Sequence, residues 1–130
     1  MSAGTDSQED VRRIAMRLPG VVENPERFAF SVPAKGKATG FVWVWLERID
    51  PKKGRVPNPC VLGIAVKNLG TKEMILGSDS RKFFTEPHYN GYPAILVRLA
   101  EIDEDELEDL IIEAWRCKAP KALADQLETA

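Results

Sequence analysis

Residues 82–93, Lys-Phe-Phe-Thr-Glu-Pro-His-Tyr-Asn-Gly-Tyr-Pro, hold the chain's one histidine, His88, and both of its tyrosines, Tyr89 and Tyr92. Imidazole titrates near neutral pH and can move a proton, and the phenols can donate hydrogen bonds or stack. Two prolines and the Asn90-Gly91 pair favour turns, because proline presets φ and Asn-Gly tolerates positive φ. A turn on a rigid scaffold is a common place for function, so His88, Tyr89, Asn90 and Tyr92 form the first candidate site. The competing account is a structural turn whose rings pack down and bond to backbone. Acid–base catalysis by His88 needs a partner and a pocket, and the rest of the sequence supplies no nucleophile signature. GxSxG, P-loop and GxGxxG patterns are absent, and Cys60 and Cys117 lack the spacing of a zinc or redox pair. Both cysteines are expected to be reduced and mostly buried. No cofactor or metal is implied; Asp103, Asp105 and Glu106 lack the glycine and spacing of an EF-hand loop.

The formal net charge of -2 conceals a division along the chain. Residues 1–100 carry 15 Lys/Arg against 10 Asp/Glu, and residues 101–130 carry 3 against 10. The body is therefore basic and the C-terminal part acidic, a distribution that permits contact with a polyanion. Arg48, Lys52, Lys53 and Arg55 surround Asp50-Pro51 and Gly54 in a predicted loop between strands, which would serve either as a wing toward phosphates or as a solvated loop. Length and a 44% hydrophobic content predict one domain spanning residues 1–130. The first residues show no basic-then-apolar leader pattern and no stretch has the length of a membrane span, so a cytoplasmic protein without membrane contact is expected.

These residues need a scaffold, and periodicity predicts one. Val11, Ile14, Ala15 and Leu18 follow helical spacing, with Thr5 or Ser7 as cap and Pro19-Gly20 as the stop. Arg12, Arg13 and Arg17 fall off that stripe, as a solvated face or an anion contact. Strand signals follow at residues 28–32, 40–46, 60–66, 73–76 and 93–99, with turns at 33–37 and 68–70. In the second strand, alternation puts Phe41, Trp43 and Trp45 on one face and Val42, Val44 and Leu46 on the other. Such a strand is central or meets another subunit; an aromatic stacking platform is the less ordinary use. Arg98 would share a face with Ala94 and Leu96 and bind an anion or a local carboxylate. Asp103 with Glu106 marks a helix start, Leu107, Leu110, Ile111, Ala114 and Trp115 form its stripe, and Ala119-Pro120 opens a short last helix.

The run from Lys82-Phe83-Phe84-Thr85 through Pro87-His88-Tyr89-Asn90-Gly91-Tyr92-Pro93 to Leu99 carries a resemblance, extended by Ile102-Asp103, Glu106-Leu107, Ala114-Trp115-Arg116 and Ala119-Pro120. It resembles the MmcQ/YjbR-like family. Val11-Arg12 to Leu18-Pro19-Gly20-Val21 and the Gly36-Lys37 turn add to it. The resemblance implies an α+β fold of CyaY-like, double-wing type, with an N-terminal helix, an antiparallel sheet of about five strands and C-terminal helices on one face. It also implies a DNA-binding role. Three functions follow as expectations. In a non-catalytic nucleic-acid-binding module, Lys35, Lys37, Lys52, Lys53 and Arg55 meet phosphates while His88, Tyr89 and Asn90 contact sugar or base, with Arg98 and Arg116 as further anion contacts. In a ligand-sensing or protein-interaction domain, the aromatic sheet face and the His88 loop form a pocket or a homodimer surface. In an enzyme, His88 is the acid or base.

Overall fold

The computed structural model describes residues 8–129, so the predicted caps Thr5 and Ser7 lie outside the described residues. Helix α1, Gln8–Met16, buries Val11, Ile14 and Ala15 as its spacing predicts, and the chain turns at Gly20 with φ 75°. Six strands follow in chain order: β1 (Val22–Glu23), β2 (Ala29–Ala34), β3 (Lys37–Glu47), β4 (Val56–Ala65), β5 (Phe83–Phe84) and β6 (Ala94–Arg98). They form one antiparallel sheet in the order β1-β2-β3-β4-β6-β5. Helix α2 (Leu69–Ser78) lies between β4 and β5, and α3 (Glu104–Lys118) and α4 (Lys121–Thr129) end the fold. The expected α+β architecture is present, with two-residue strands β1 and β5 added at the sheet edges.

Residues 73–76, predicted as a strand, are helical and belong to α2. Asn68, expected in a connecting turn, caps that helix by accepting the Thr71 N–H at 2.8 Å. A run as short as Met74-Ile75-Leu76 cannot separate helix from strand by period, and here the cap decides.

Strand β3 is central, as its two apolar faces require. Register pairs Val42 with Ile64, Trp43 with Gly63 and Val44 with Leu62, and pairs Leu62, Gly63 and Ile64 with Val97, Leu96 and Ile95. Val42, Leu62, Ile64, Ile95 and Val97 enter the core with α1 and α3, whose Val11, Ile14, Leu107, Ile111 and Trp115 belong to the same cluster. Trp43, Gly63 and Leu96 alternate to the other face. Strict alternation fails at Phe41. The pairing passes from Phe30↔Val42 to Ser31↔Gly40, leaving Phe41 as the extra residue of a bulge, and it is buried in the core beside Val42 rather than with Trp43 and Trp45. A second irregularity separates Val44↔Leu62 from Trp45↔Asn58, and Cys60 lies within it. Both cysteines are exposed, contrary to the expectation of buried thiols: Cys60 sits in that irregular segment and Cys117 in the last turn of α3.

Helix α3 is tied to the turn after α1 through Trp115, fully buried, whose indole N–H donates to the Pro19 carbonyl at 3.0 Å. Asp103 caps α3 by accepting the Glu106 N–H, as its sequence predicts. No described helix is long and apolar enough to cross a membrane.

Candidate functional site

Between β5 and β6 the chain folds over the sheet face that carries Trp43. Pro87–Tyr89 forms one 3-10 turn capped by Glu86, whose Oε1 accepts the His88 N–H at 2.8 Å. Its Oε2 accepts the Trp45 indole N–H at 3.2 Å and an Arg55 guanidinium N–H at 3.4 Å. Burial pushes the Glu86 carboxyl up, but the His88, Trp45 and Arg55 donors outweigh it and hold the group below its ordinary range. Gly91, at φ 76°, supplies the positive φ expected of Asn90-Gly91.

Trp43 donates its indole N–H to the Tyr89 hydroxyl at 3.0 Å. The ring centroids of Trp43 and Tyr92 lie 6.5 Å apart, those of Tyr89 and Tyr92 6.3 Å, and those of His88 and Tyr89 6.0 Å. Burial raises the Tyr89 phenol above its usual value, so the hydroxyl keeps its proton across the physiological range. Gly63 makes room for the Trp43 indole: a Cβ there would stand 2.2 Å from Trp43 Nε1. From α2, the ammonium of Lys72, only 6% exposed, donates to the carbonyls of Tyr89 at 2.6 Å and Tyr92 at 2.8 Å. Desolvation lowers the Lys72 pKa.

The result is an open groove of about 490 Å³ along β3, from Gly40 through Trp43 to Leu46, with His88, Tyr89 and Tyr92 as one wall and Arg27 and Arg55 also lining it. Ligand pockets commonly have such a volume and such a mixture of aromatic walls and few polar groups. Arg55 is partly committed, donating to the Leu46 carbonyl at 3.0 Å as well as to Glu86.

Four of the sequence-predicted residues, His88, Tyr89, Tyr92 and Arg55, line the groove, and Asn90 is exposed on the same loop. The predicted lysines are not brought together. Lys35 and Lys37 sit at the β2–β3 turn and Lys52 and Lys53 at the β3–β4 turn, on opposite ends of the eleven-residue β3. At strand rise that separation is on the order of 30 Å. Arg98 stacks over Phe84 at 4.2 Å and donates to the Ser80 and Arg81 carbonyls, so its local partners are backbone rather than a carboxylate. Arg116 pairs with Glu113 at 3.5 Å and lines a separate cavity of about 610 Å³ between α2 and α3. Arg12, Arg13 and Arg17 make ion pairs with Glu23, Glu104 and Glu108. Among the described residues no cluster of histidine, cysteine and carboxylate side chains could hold a metal ion.

Arg27, Gly40, Lys72 and Glu86 escape the sequence reading as site residues, whereas Trp43, placed by alternation on the aromatic face expected to meet the His88 loop, does line the groove. Glu86 before Pro-His is a readable cap signal; the others depend on which distant segments meet, which the sequence does not display.

No family model matches the chain. Uncharacterized protein Mb2600 of Mycobacterium bovis and uncharacterized protein Rv2570 of Mycobacterium tuberculosis are each 46% identical to it over 67 residues. That match spans 52% of this chain and 52% of each relative, about half the length of either protein. Among solved structures, Deinococcus radiodurans protein DR2400, with a DUF419 domain, superposes with a TM-score of 0.67 over 98% of this chain and 92% of that one, at 18% identity. At that identity the likeness shows a shared fold.

Proposed function

We propose that this chain is a non-catalytic nucleic-acid-binding domain of the MmcQ/YjbR-like family, with the groove along β3 as its contact surface and a single strand as its ligand. One observation carries the reading: an aromatic-walled groove follows β3 between two lysine-bearing turns. Bases stack on aromatic side chains whatever their sequence, and flanking cations hold the backbone. Lys35, Lys37, Lys52 and Lys53 are exposed or nearly so, and none makes an ion pair among the described residues. The β3–β4 turn is internally braced: Arg48 donates to the Pro51 and Lys53 carbonyls and Asp50 accepts the Lys52 N–H, leaving both lysine ammoniums outward. The acidic balance of residues 101–130 belongs to helices on the opposite side of the sheet, away from the groove.

The test is fluorescence anisotropy with a labelled oligothymidylate and a labelled duplex at two salt concentrations. Binding of the single strand should weaken steeply with salt. Lys52→Ala/Lys53→Ala should lower the salt slope by about 1–2, and Trp43→Leu should weaken single-strand binding more than duplex binding. No binding at low salt overturns the reading.

A second reading, a sensor of a small ligand, is favoured by the bracing of the groove wall. Lys72 holds two carbonyls of the loop at once, a preorganisation suited to a ligand that fits one shape. Retained binding of mononucleotides without binding of oligonucleotides would select it.

A further inference from the structure

Two hydrogen-bond donors in the groove are left without an acceptor among the described residues. Tyr89 receives the Trp43 N–H on its oxygen, and its own hydroxyl proton goes to no acceptor among the described residues. Arg27 lines the same groove, is exposed, and makes no hydrogen bond or ion pair among the described residues. The nearby carboxylate that could offer acceptors, Glu86, is occupied by the His88 and Trp45 N–H groups and by Arg55. A ligand group that meets both the Tyr89 hydroxyl proton and the Arg27 guanidinium is an acceptor of hydrogen bonds, and the guanidinium favours one that is anionic. The adjacent rings of Trp43 and Tyr92 offer apolar surface to whatever carries that group.

We propose that Arg27 and Tyr89 form a subsite for one anionic group attached to a planar ring, the chemistry of a nucleoside monophosphate or of one phosphodiester unit in a strand. Tyr89 is the specificity residue, its hydroxyl aimed by Trp43, and Arg27 supplies the charge. The subsite rests on the reading of the β3 groove as a binding surface, and it adds a requirement that the groove alone does not impose: the neutral ring without its anion binds poorly.

Adenosine and adenosine 5′-monophosphate, with a thymidine trinucleotide lacking terminal phosphates, separate these ideas. Binding is followed by calorimetry and by the indole N–H resonances in a ¹⁵N spectrum, where Trp115, buried against Pro19, is the internal control. The monophosphate should bind at least tenfold tighter than adenosine and shift Trp43 but not Trp115. Arg27→Gln and Tyr89→Phe should each cut that preference several-fold, weakening the monophosphate more than adenosine. The trinucleotide tells a strand phosphodiester from a free monophosphate: binding lost in Arg27→Gln assigns the subsite to strands, and monophosphate binding alone assigns it to free nucleotides. Equal binding of adenosine and its monophosphate, with Trp43 shifting, overturns the anion subsite and leaves the groove standing. Equal losses for both ligands in Tyr89→Phe reduce Tyr89 to a structural prop for Trp43 and overturn its specificity role. A Trp43 resonance that moves with none of the three ligands overturns the groove reading itself.

Discussion

Glu86 serves three donors from three parts of the chain: the turn it caps, the end of β3 through Trp45, and the start of β4 through Arg55. Its folded pKa lies below its unfolded value, so the unfolded state binds more protons in acid. The stability it supplies is complete above the unfolded glutamate value of about 4.3 and is lost as pH falls through the lower folded value. Glu86→Gln should cost about 1 kcal/mol at neutral pH and flatten the acid limb of the stability profile, as read by urea unfolding between neutral pH and about pH 3. An unchanged acid limb would mean that other carboxylates dominate it. At this scale, His88, Tyr89 and Tyr92 are legible in the sequence because they crowd a turn that local residue chemistry announces. Arg27 and Lys72 are not legible, because each acquires its role from a neighbour far along the chain. Trp43 is legible in part: alternation puts it on an aromatic face that could meet the His88 loop, and its partners Gly63 and Tyr89 make it a groove residue.

At the scale of elements, the groove exists because β3 and β4 fit each other at one pair. Gly63 sits directly across from Trp43, and the indole occupies the space a side chain would take. Gly63→Ala places a methyl against the indole ring, which must move and give up its bond to Tyr89. The expected cost is about 1–3 kcal/mol, typical of overpacking, seen as a lower urea midpoint with an unchanged slope, together with weaker binding in the groove. A neutral effect on both would show that the indole relocates freely. Helix α1 and the strands around residues 28–32, 40–46, 60–66 and 93–99 are readable from period, and α3 from its period and its cap. The bulge at Phe41 and the helical state of residues 73–76 are not. A bulge changes the facing of every residue beyond it without altering composition, and a three-residue apolar run has no period to read.

Across the whole molecule, the sheet order separates two kinds of contact. Strands β1 to β4 are neighbours in both sequence and space, whereas β6 reaches β4 across α2 and β5, and the loop holding His88 follows that second arrangement. Local pairings close short loops at small entropic cost, and distant ones close long loops later. The floor of the groove is therefore expected to form before its wall during folding. In pulse-labelling hydrogen exchange, the amides of β2 and β3 should gain protection ahead of those of Tyr92, Ala94 and Arg98; simultaneous protection would mean that the sheet assembles in one step. The same order sets what happens in the native state. A wall added last, on a two-residue edge strand, can leave first, and Lys72 fastens it from a helix that itself belongs to the late segment. The ammonium thus acts as a latch between two latecomers, and brief local opening of the turn it holds would uncover the face of β3 around Trp43 and Trp45.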